Sequence, residues 1–364
     1  MSEVWILGGA GRTGRAITAE LRRKGIEPTL VGRDADRLAE VAGAGRTVVA
    51  GDVEAMVAEI RRQRPAVVVN TVGPFTRTAE PLVRACLPAG HYLDLANDLA
   101  SFATTLGLGD QATAAGRTVV TGAGFGVVAT ESVVVKLCEG RGTPDRVRTA
   151  MIPSIALEGG VTGEALAGSL VEGLPGVEGG ARYQGRRYRG GRLAPARLGA
   201  DPVELTLPDG STVVAAGMPL GELMAAQRAS GAPDVVSASS EAPSSPVARA
   251  ILPAATALLA IGPVREFARR RLAALTTKPK EQPREHSWGH AVVHWPDGVT
   301  REGWLRAGEA MSFTAAVAAE VARRLLAGEG RPGAHTPAAL FGPSLAEACG
   351  GDYLIPDSPA GTRL

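Results

Sequence analysis

An apolar run, Val4, Trp5, Ile6 and Leu7, breaks into Gly8, Gly9, Gly11 and Gly14 and then into a helical pattern. This constrains the chain more than anything that follows. Four apolar residues suffice for one buried strand and are too few for a helix. From Arg15 the period changes: Ile17 and Leu21 stand four apart, Arg22, Arg23 and Lys24 suit a C-terminal turn, and Gly25 closes it. Glycines 8, 11 and 14 have G-x-x-G-x-x-G spacing, and strand, glycine turn and helix together make a dinucleotide-binding fingerprint. One glycine permits the turn, one lets backbone N–H groups reach a pyrophosphate, and one lets helix and strand pack closely. Gly8, Gly11, Arg12, Thr13 and Gly14 are therefore expected to form the phosphate cradle.

The next strand, 28–31, ends in Gly32, Arg33 and Asp34. Arg33 falls about 20 positions beyond the glycine loop, where an acid for the ribose 2′-hydroxyl is expected in an NAD-type site. A guanidinium there suits a 2′-phosphate instead, and Arg12 can close on it from the other side. The reading is NADP(H), with NAD(H) as the alternative if Asp34 takes the ribose hydroxyl and both arginines are solvated.

Strand and helix patterns alternate from there to about residue 126, with near-continuous apolar strands such as Val67, Val68 and Val69. That is the mark of a parallel sheet covered on both faces. Ligands gather at the carboxyl ends of such strands. The loops at 8–14, Arg33, Asp52, 70–75, 94–97 and 122–126 should line one rim. Near Ala150 the pattern changes. Two Pro-Asp-Gly turns, at 208–210 and 296–298, separate β-rich runs and predict antiparallel hairpins. A second, α+β substrate domain built on an antiparallel sheet is expected behind a doubly wound Rossmann domain. An apolar segment at 247–261 and a basic run at 265–271 lie between the hairpins. The segment holds Pro253 and is too short to span a bilayer, so buried or lid helices are expected, with peripheral membrane contact by 247–271 as the alternative.

The 364 residues are 45% hydrophobic with a formal charge of +2, enough for two domains and against a chain built on nucleic-acid phosphate contacts. Abundant Ala, Gly and Arg read as a GC-rich bacterial coding bias. Cys86, Cys138 and Cys349 lack C-x-x-C spacing, which points to reduced thiols in a cytoplasm and to no zinc site. The immediate entry into a strand leaves no room for a signal peptide.

The ordered motifs GGAGRTG at 8–14, VGRD at 31–34, NTVGPF at 70–75, ACLPAGHYLDLAND at 85–98, TGAGFG at 121–126 and TPAALFG at 336–342 resemble the saccharopine dehydrogenase-like oxidoreductases, including their trans-acting enoyl reductase branch. The resemblance runs from one terminus to the other. It implies a Rossmann domain over 1–130, a substrate and dimerisation domain over 131–330, and a C-terminal helix and tail, 331–364, returning to the Rossmann part. It also implies NAD(P)-linked redox chemistry on a carbonyl, an imine or a conjugated double bond, with hydride transfer to a C=N bond of a small metabolite as the reading taken. The alternatives are reduction of an enoyl C=C on a lipid- or polyketide-like substrate, or a non-catalytic NADP(H)-binding regulator. A homodimer through the substrate-domain sheet is expected from the fold class. By family position Val72, Gly73, Pro74 and Phe75 pack along the nicotinamide ribose and ring, and Gly124 and Phe125 sit over its other side.

Candidate proton donors are Tyr92 and Asp94, two apart on one strand, and His290 and His294. Asn97, Asp98 and Glu131 stand nearby in sequence, with helix capping as the alternative for Asn97 and Asp98. His286, His290 and His294 cannot share one zinc ion. Residues four apart on a strand are about 13 Å apart, and zinc needs nitrogens within about 2.1 Å. They line a sheet face, with Trp288, as pocket residues or as packed core. The basic, tyrosine-bearing run at 181–192 is expected to be a loop or short hairpin that steers acidic ligands or is merely solvated.

Overall fold

The computed structural model describes residues 3–156, 160–161, 172–277 and 281–356. The chain divides into two compact units: Met1–Ala96, Ser101–Phe125 and Met311–Phe341 in the first, and Asn97–Ala100, Gly126–Ala310 and Gly342–Leu364 in the second.

The first unit opens with β1 (Val4–Leu7), α1 (Arg12–Arg23), β2 (Thr29–Gly32), α2 (Ala35–Ala42), β3 (Thr47–Val49) and α3 (Val53–Gln63). It continues with β4 (Val67–Asn70), α4 (Phe75–Cys86), β5 (His91–Asp94), α5 (Leu99–Gly107), α6 (Gly109–Ala114) and β6 (Thr118–Val120). With the late strand Gly333–His335 these build a seven-stranded sheet in the order Gly333–His335, β6, β5, β4, β1, β2, β3. Every pairing in it is parallel. The order reverses between β1 and β4, and the crevice at such a reversal is where doubly wound sheets hold ligands. β1, β2 and β4 are buried along their whole length, as expected of strands covered on both faces. Trp5, Leu7, Val31, Val68, Leu82, Tyr92 and Val119 share one core. Each fully buried large aliphatic side chain contributes about 1.5–3 kcal/mol. The helix Ala310–Leu326 joins this unit from Met311 on, and its Glu320 is bridged to Lys24, which caps the end of α1, at 2.9 Å.

In the second unit, α7 (Phe125–Cys138) is buried around its whole first half, which explains its lack of a polar stripe. β7 (Arg146–Ile152) lies inside a nine-stranded sheet. Both Pro-Asp-Gly hairpins form: Val203–Thr206 with Thr212–Gly217, and Ser287–His294 with Thr300–Ala307. The basic run forms a third, Gly185–Arg189 with Arg192–Ala196.

Three expectations are corrected here. The second sheet is mixed, because Asp234–Ser239 pairs with β7 in parallel. A parallel neighbour needs a crossover, and the helix Gly221–Ser230 leads directly into Asp234–Ser239 and packs on both strands. The unit boundaries fall at 125/126 and 310/311 instead of 130 and 330, inside two helices. The tail divides at Phe341: Gly333–His335 extends the Rossmann sheet, whereas Asp352–Leu354 pairs with Thr300–Ala307 in the second sheet.

Candidate functional site

In the first unit the glycine loop has the conformation its sequence anticipates. Gly8 has a φ of +78°, and its N–H and that of Gly9 both donate to the Val31 carbonyl, at 2.8 and 3.1 Å. A Cβ on Gly14 would run into the Gly8 carbonyl and stand 2.8 Å from Gly9 Cα, so only glycine lets α1 start this close to β1. The first turn of α1 has no side-chain cap and no acidic residue. α2 and α3 are capped by Asp34 and Asp52, which accept from the N–H groups of Arg37 and Ala55. The uncapped helix end, with its positive dipole, lies at the sheet's reversal point and fits a diphosphate.

The same caps sort the neighbouring residues. Asp34 and Asp52 each spend Oδ1 on a helix end, so Asp34 is a poor ribose ligand and Asp52 is first a cap. Arg12 and Arg33 are exposed, and among the described residues neither has a hydrogen-bond or ion-pair partner. Two free guanidinium groups beside an uncapped helix end suit phosphate.

Beneath the rim runs a buried polar network. Asn70, at the end of β4, donates through Nδ2 to Tyr92 Oη at 3.0 Å and to Thr78 Oγ1 at 3.2 Å. Its Oδ1 accepts from the Val72 N–H at 2.9 Å. Tyr92 Oη donates to Asp94 Oδ2 at 3.0 Å. Asp94 Oδ1 accepts from Thr121 Oγ1, the Ala96 N–H and the Gly122 N–H at 2.8, 3.1 and 3.2 Å. The network thus ties together the loops that follow β4, β5 and β6. Burial pushes Asp94 up to about 6, against the lowering effect of its donors. Tyr92 is raised well above its usual range, by burial first and by Asp94 second. Both side chains are fully enclosed. Expected as proton donors, they link the loops after β4, β5 and β6.

Val72, Gly73, Pro74 and Phe75 are half-buried, and the loop starts against the glycine loop, since a Cβ on Gly8 would come within 2.6 Å of Thr71 Oγ1 and 3.3 Å of Val72. Phe125, expected over the nicotinamide, is buried with its ring edge-on to Phe313 at 6.1 Å, and its N–H donates to Thr314 Oγ1 at 3.0 Å. The packing of Phe125 is spent on the helix Ala310–Leu326, and Gly124 stands beside Thr314.

The second unit has its own buried acid, which no local sequence pattern marks. Glu222, in the first turn of Gly221–Ser230, accepts from Asn97 Nδ2 at 3.0 Å. Asn97 Oδ1 accepts in turn from the Gly221 N–H at 3.2 Å. A Cβ on Gly126 would collide with Glu222 Oε1 and Met151 Sδ, so the last glycine of TGAGFG makes room for this carboxylate. Burial raises Glu222 to about 7, opposed by its own backbone N–H and by Asn97. The motif glycine and Asn97 are the signals the sequence offers, but their partner lies far along the chain.

His290 and His294 are placed otherwise than as proton donors. His290 is buried, stacked on Trp304 at 4.0 Å, with Nε2 at 2.8 Å from Glu302 Oε1. His294 Nδ1 is 2.8 Å from Thr300 Oγ1, and burial lowers its pKa. Both are cross-strand pairs of one hairpin. In the basic run, Arg186 is buried and donates to the carbonyls of Val177, Glu178 and Gly180 among others, a structural role and not ligand steering.

The family described as NAD(P)H-binding matches residues 8–92. Apo saccharopine dehydrogenase (L-Glu forming) from Saccharomyces cerevisiae is similar over 98% of this chain and 100% of that one, at 12% identity and a TM-score of 0.58. A meso-DAP dehydrogenase variant from Clostridium tetani E88 covers 95% and 96%, at 13% identity and a TM-score of 0.44. No curated protein sequence matches the chain. The chain therefore carries an NAD(P)H-binding domain in a fold like that of saccharopine dehydrogenase.

Proposed function

We propose that this chain is an NADP(H)-dependent reductase that transfers hydride to the C=N bond of a small metabolite. The observation that carries the cofactor half is the pair Arg12 and Arg33, exposed and unpartnered among the described residues, beside a cap-free α1 while Asp34 is committed to α2. When bound, the nicotinamide supplies the hydride. The chain's own residues bind and orient: the backbone N–H groups at the start of α1 take the diphosphate, and the two arginines take the 2′-phosphate. The network from Asn70 to Thr121 holds the rim loops in place. Reduction of C=N also consumes one proton at nitrogen. Support for C=N over other acceptors is fold-level analogy with saccharopine dehydrogenase. The observation favouring an enoyl acceptor on a lipid-like substrate is the set of exposed apolar side chains at 247–275.

Calorimetric titration of the protein with NADPH and NADH, repeated on Arg33→Ala, tests the reading. The expected result is tighter NADPH than NADH binding, and a loss of about 10- to 100-fold for NADPH alone in the variant, as for a charge-assisted hydrogen bond. Equal affinities that Arg33→Ala leaves unchanged would remove the 2′-phosphate assignment, and absence of binding by either nucleotide would remove the reductase. NADPH oxidation with cyclic imines and with enoyl thioesters then separates the two acceptors.

A further inference from the structure

Seven of the ten large hydrophobic side chains exposed among the described residues fall between 247 and 275: Val247, Ile251, Leu258, Ile261, Val264, Phe267 and Leu275. The others, Val49, Val203 and Val214, are scattered, and single exposed apolar residues need no explanation. A contiguous patch does. The seven belong to the helices Pro246–Leu259 and Gly262–Ala273 and their flanks. The first stretch from Ala250 and the second helix are bent by 106° at the short break between them. Val247, Ile251 and Leu258, at i, i+4 and i+11, lie on one narrow stripe, with Val247 69% and Ile251 60% exposed. The second helix buries none of its residues, and its Phe267 is 61% exposed. No single helix among the described residues is long and apolar enough to cross a membrane.

Charge decides what such a surface fits. The second helix carries Arg265, Arg269, Arg270 and Arg271 against one acid, Glu266. Glu266 is held by Arg269 at 2.8 Å and Arg270 at 2.7 Å, which leaves an excess of positive charge. The Arg271 guanidinium lies over the Phe267 ring at 5.3 Å, so apolar body and cationic tip share one spot, the arrangement of a side chain that snorkels at an interface. A second copy of the chain seated symmetrically on this patch would bring the arginines of one copy towards those of the other. An anionic surface would receive them.

We propose that 247–275 is a peripheral membrane contact. The bent helix pair lies in the headgroup layer of an anionic phospholipid bilayer, with Val247, Ile251, Leu258 and Phe267 at the acyl boundary and the arginines on lipid phosphates. The contact stands whichever acceptor the reductase uses, because it involves no cofactor residue.

Flotation of the full chain with phosphatidylcholine vesicles, with and without phosphatidylglycerol, tests it. The protein is expected to float with the mixed vesicles and far less with phosphatidylcholine alone. Ile251→Ser with Phe267→Ser should reduce flotation at least tenfold. Arg270→Glu with Arg271→Glu should reduce it by more than tenfold on the anionic vesicles only, at about fivefold per neutralised arginine, and added salt should mimic it. NADPH affinity should stay at the wild-type value in both variants, since neither touches a residue placed at the cofactor site. Absence of wild-type flotation, or flotation indifferent to both pairs of substitutions, overturns the proposal. So does an Ile251→Ser and Phe267→Ser variant that turns a dimer into a monomer while the wild type ignores vesicles, which would give the patch to a second copy. Failure of NADPH binding with flotation intact would count against the reductase and leave the membrane contact standing.

Discussion

Asp94 in the first unit and Glu222 in the second are buried alike, at 0% and 2% exposure, yet their surroundings treat them differently. Asp94 receives four hydrogen bonds, two from backbone N–H groups and two from hydroxyls. Glu222 receives one from a side chain, that of Asn97, besides its own backbone N–H. Burial raises both, Asp94 to about 6 and Glu222 to about 7. Each donor lowers a buried carboxyl's pKa, so the four bonds to Asp94 offset part of its burial. Glu222 has fewer bonds to offset its own. Asp94 thus ties together the loops that follow β4, β5 and β6, whereas Glu222 is held by Asn97 and its own backbone N–H.

The harshest way to break this comparison is Asp94→Ala. It leaves Thr121 Oγ1, Tyr92 Oη and the N–H groups of Ala96 and Gly122 without their acceptor in a closed interior. A buried donor left without its acceptor costs about 1–3 kcal/mol, so the loss here should be several kcal/mol. Urea unfolding at pH 7 should show that loss, together with weaker NADPH binding as the rim loops loosen. A variant within about 1 kcal/mol of wild type would mean that Asp94 does not hold the rim.

Glu222→Gln should act in the opposite direction, with a pH signature. The folded group titrates at about 7 and an ordinary glutamate at 4.5. Below 4.5 both states are protonated and the stability is fully present. Between 4.5 and 7 the unfolded state ionises while the folded carboxyl keeps its proton, so stability is lost across that window and the loss levels off above it. Glutamine never ionises, so the variant should gain up to about 3 kcal/mol over wild type by pH 8.5, because each tenfold change in proton affinity is worth about 1.4 kcal/mol. The two curves should merge near pH 4.5. Urea titrations across that range measure the gap, and a gap independent of pH would show that Glu222 is not the proton-exchanging partner of the pair.

What the chain announces in advance follows the same division. The glycine loop, the apolar strands and the Asp-Gly turns are local patterns, and the Rossmann sheet and both Pro-Asp-Gly hairpins follow from them. The parallel pairing of Asp234–Ser239 with β7 has no turn of its own to read, so the sequence pattern predicts an antiparallel sheet in its place. Asp94 is visible because it ends a strand inside a motif; that it also binds the loop after β6 depends on Thr121, 27 residues away. Glu222 is invisible because Asn97 is 125 residues distant and nothing local marks position 222. The alternation around His290 and His294 suggests pocket residues. The sheet register, which pairs them with Trp304 and Thr300, cannot be read from that alternation.

The mildest test trims a single donor. Thr121→Val keeps the shape of the side chain and removes only the hydroxyl that donates to Asp94 Oδ1 at 2.8 Å. Two N–H donors and Tyr92 remain on the carboxylate, so the cost at pH 7 should be about 1 kcal/mol, that of one hydrogen bond. The hydroxyl lowers the Asp94 pKa, so its removal should move that group further up. The cost should therefore shrink as pH falls through 6 towards 4, where the folded carboxyl is neutral and needs the donor least. Stability measured at pH 7.5, 6 and 4.5 would show the decline. A constant cost would mean that the hydroxyl stabilises the turn and not the charge, and Asp94 would then differ from Glu222 in packing alone.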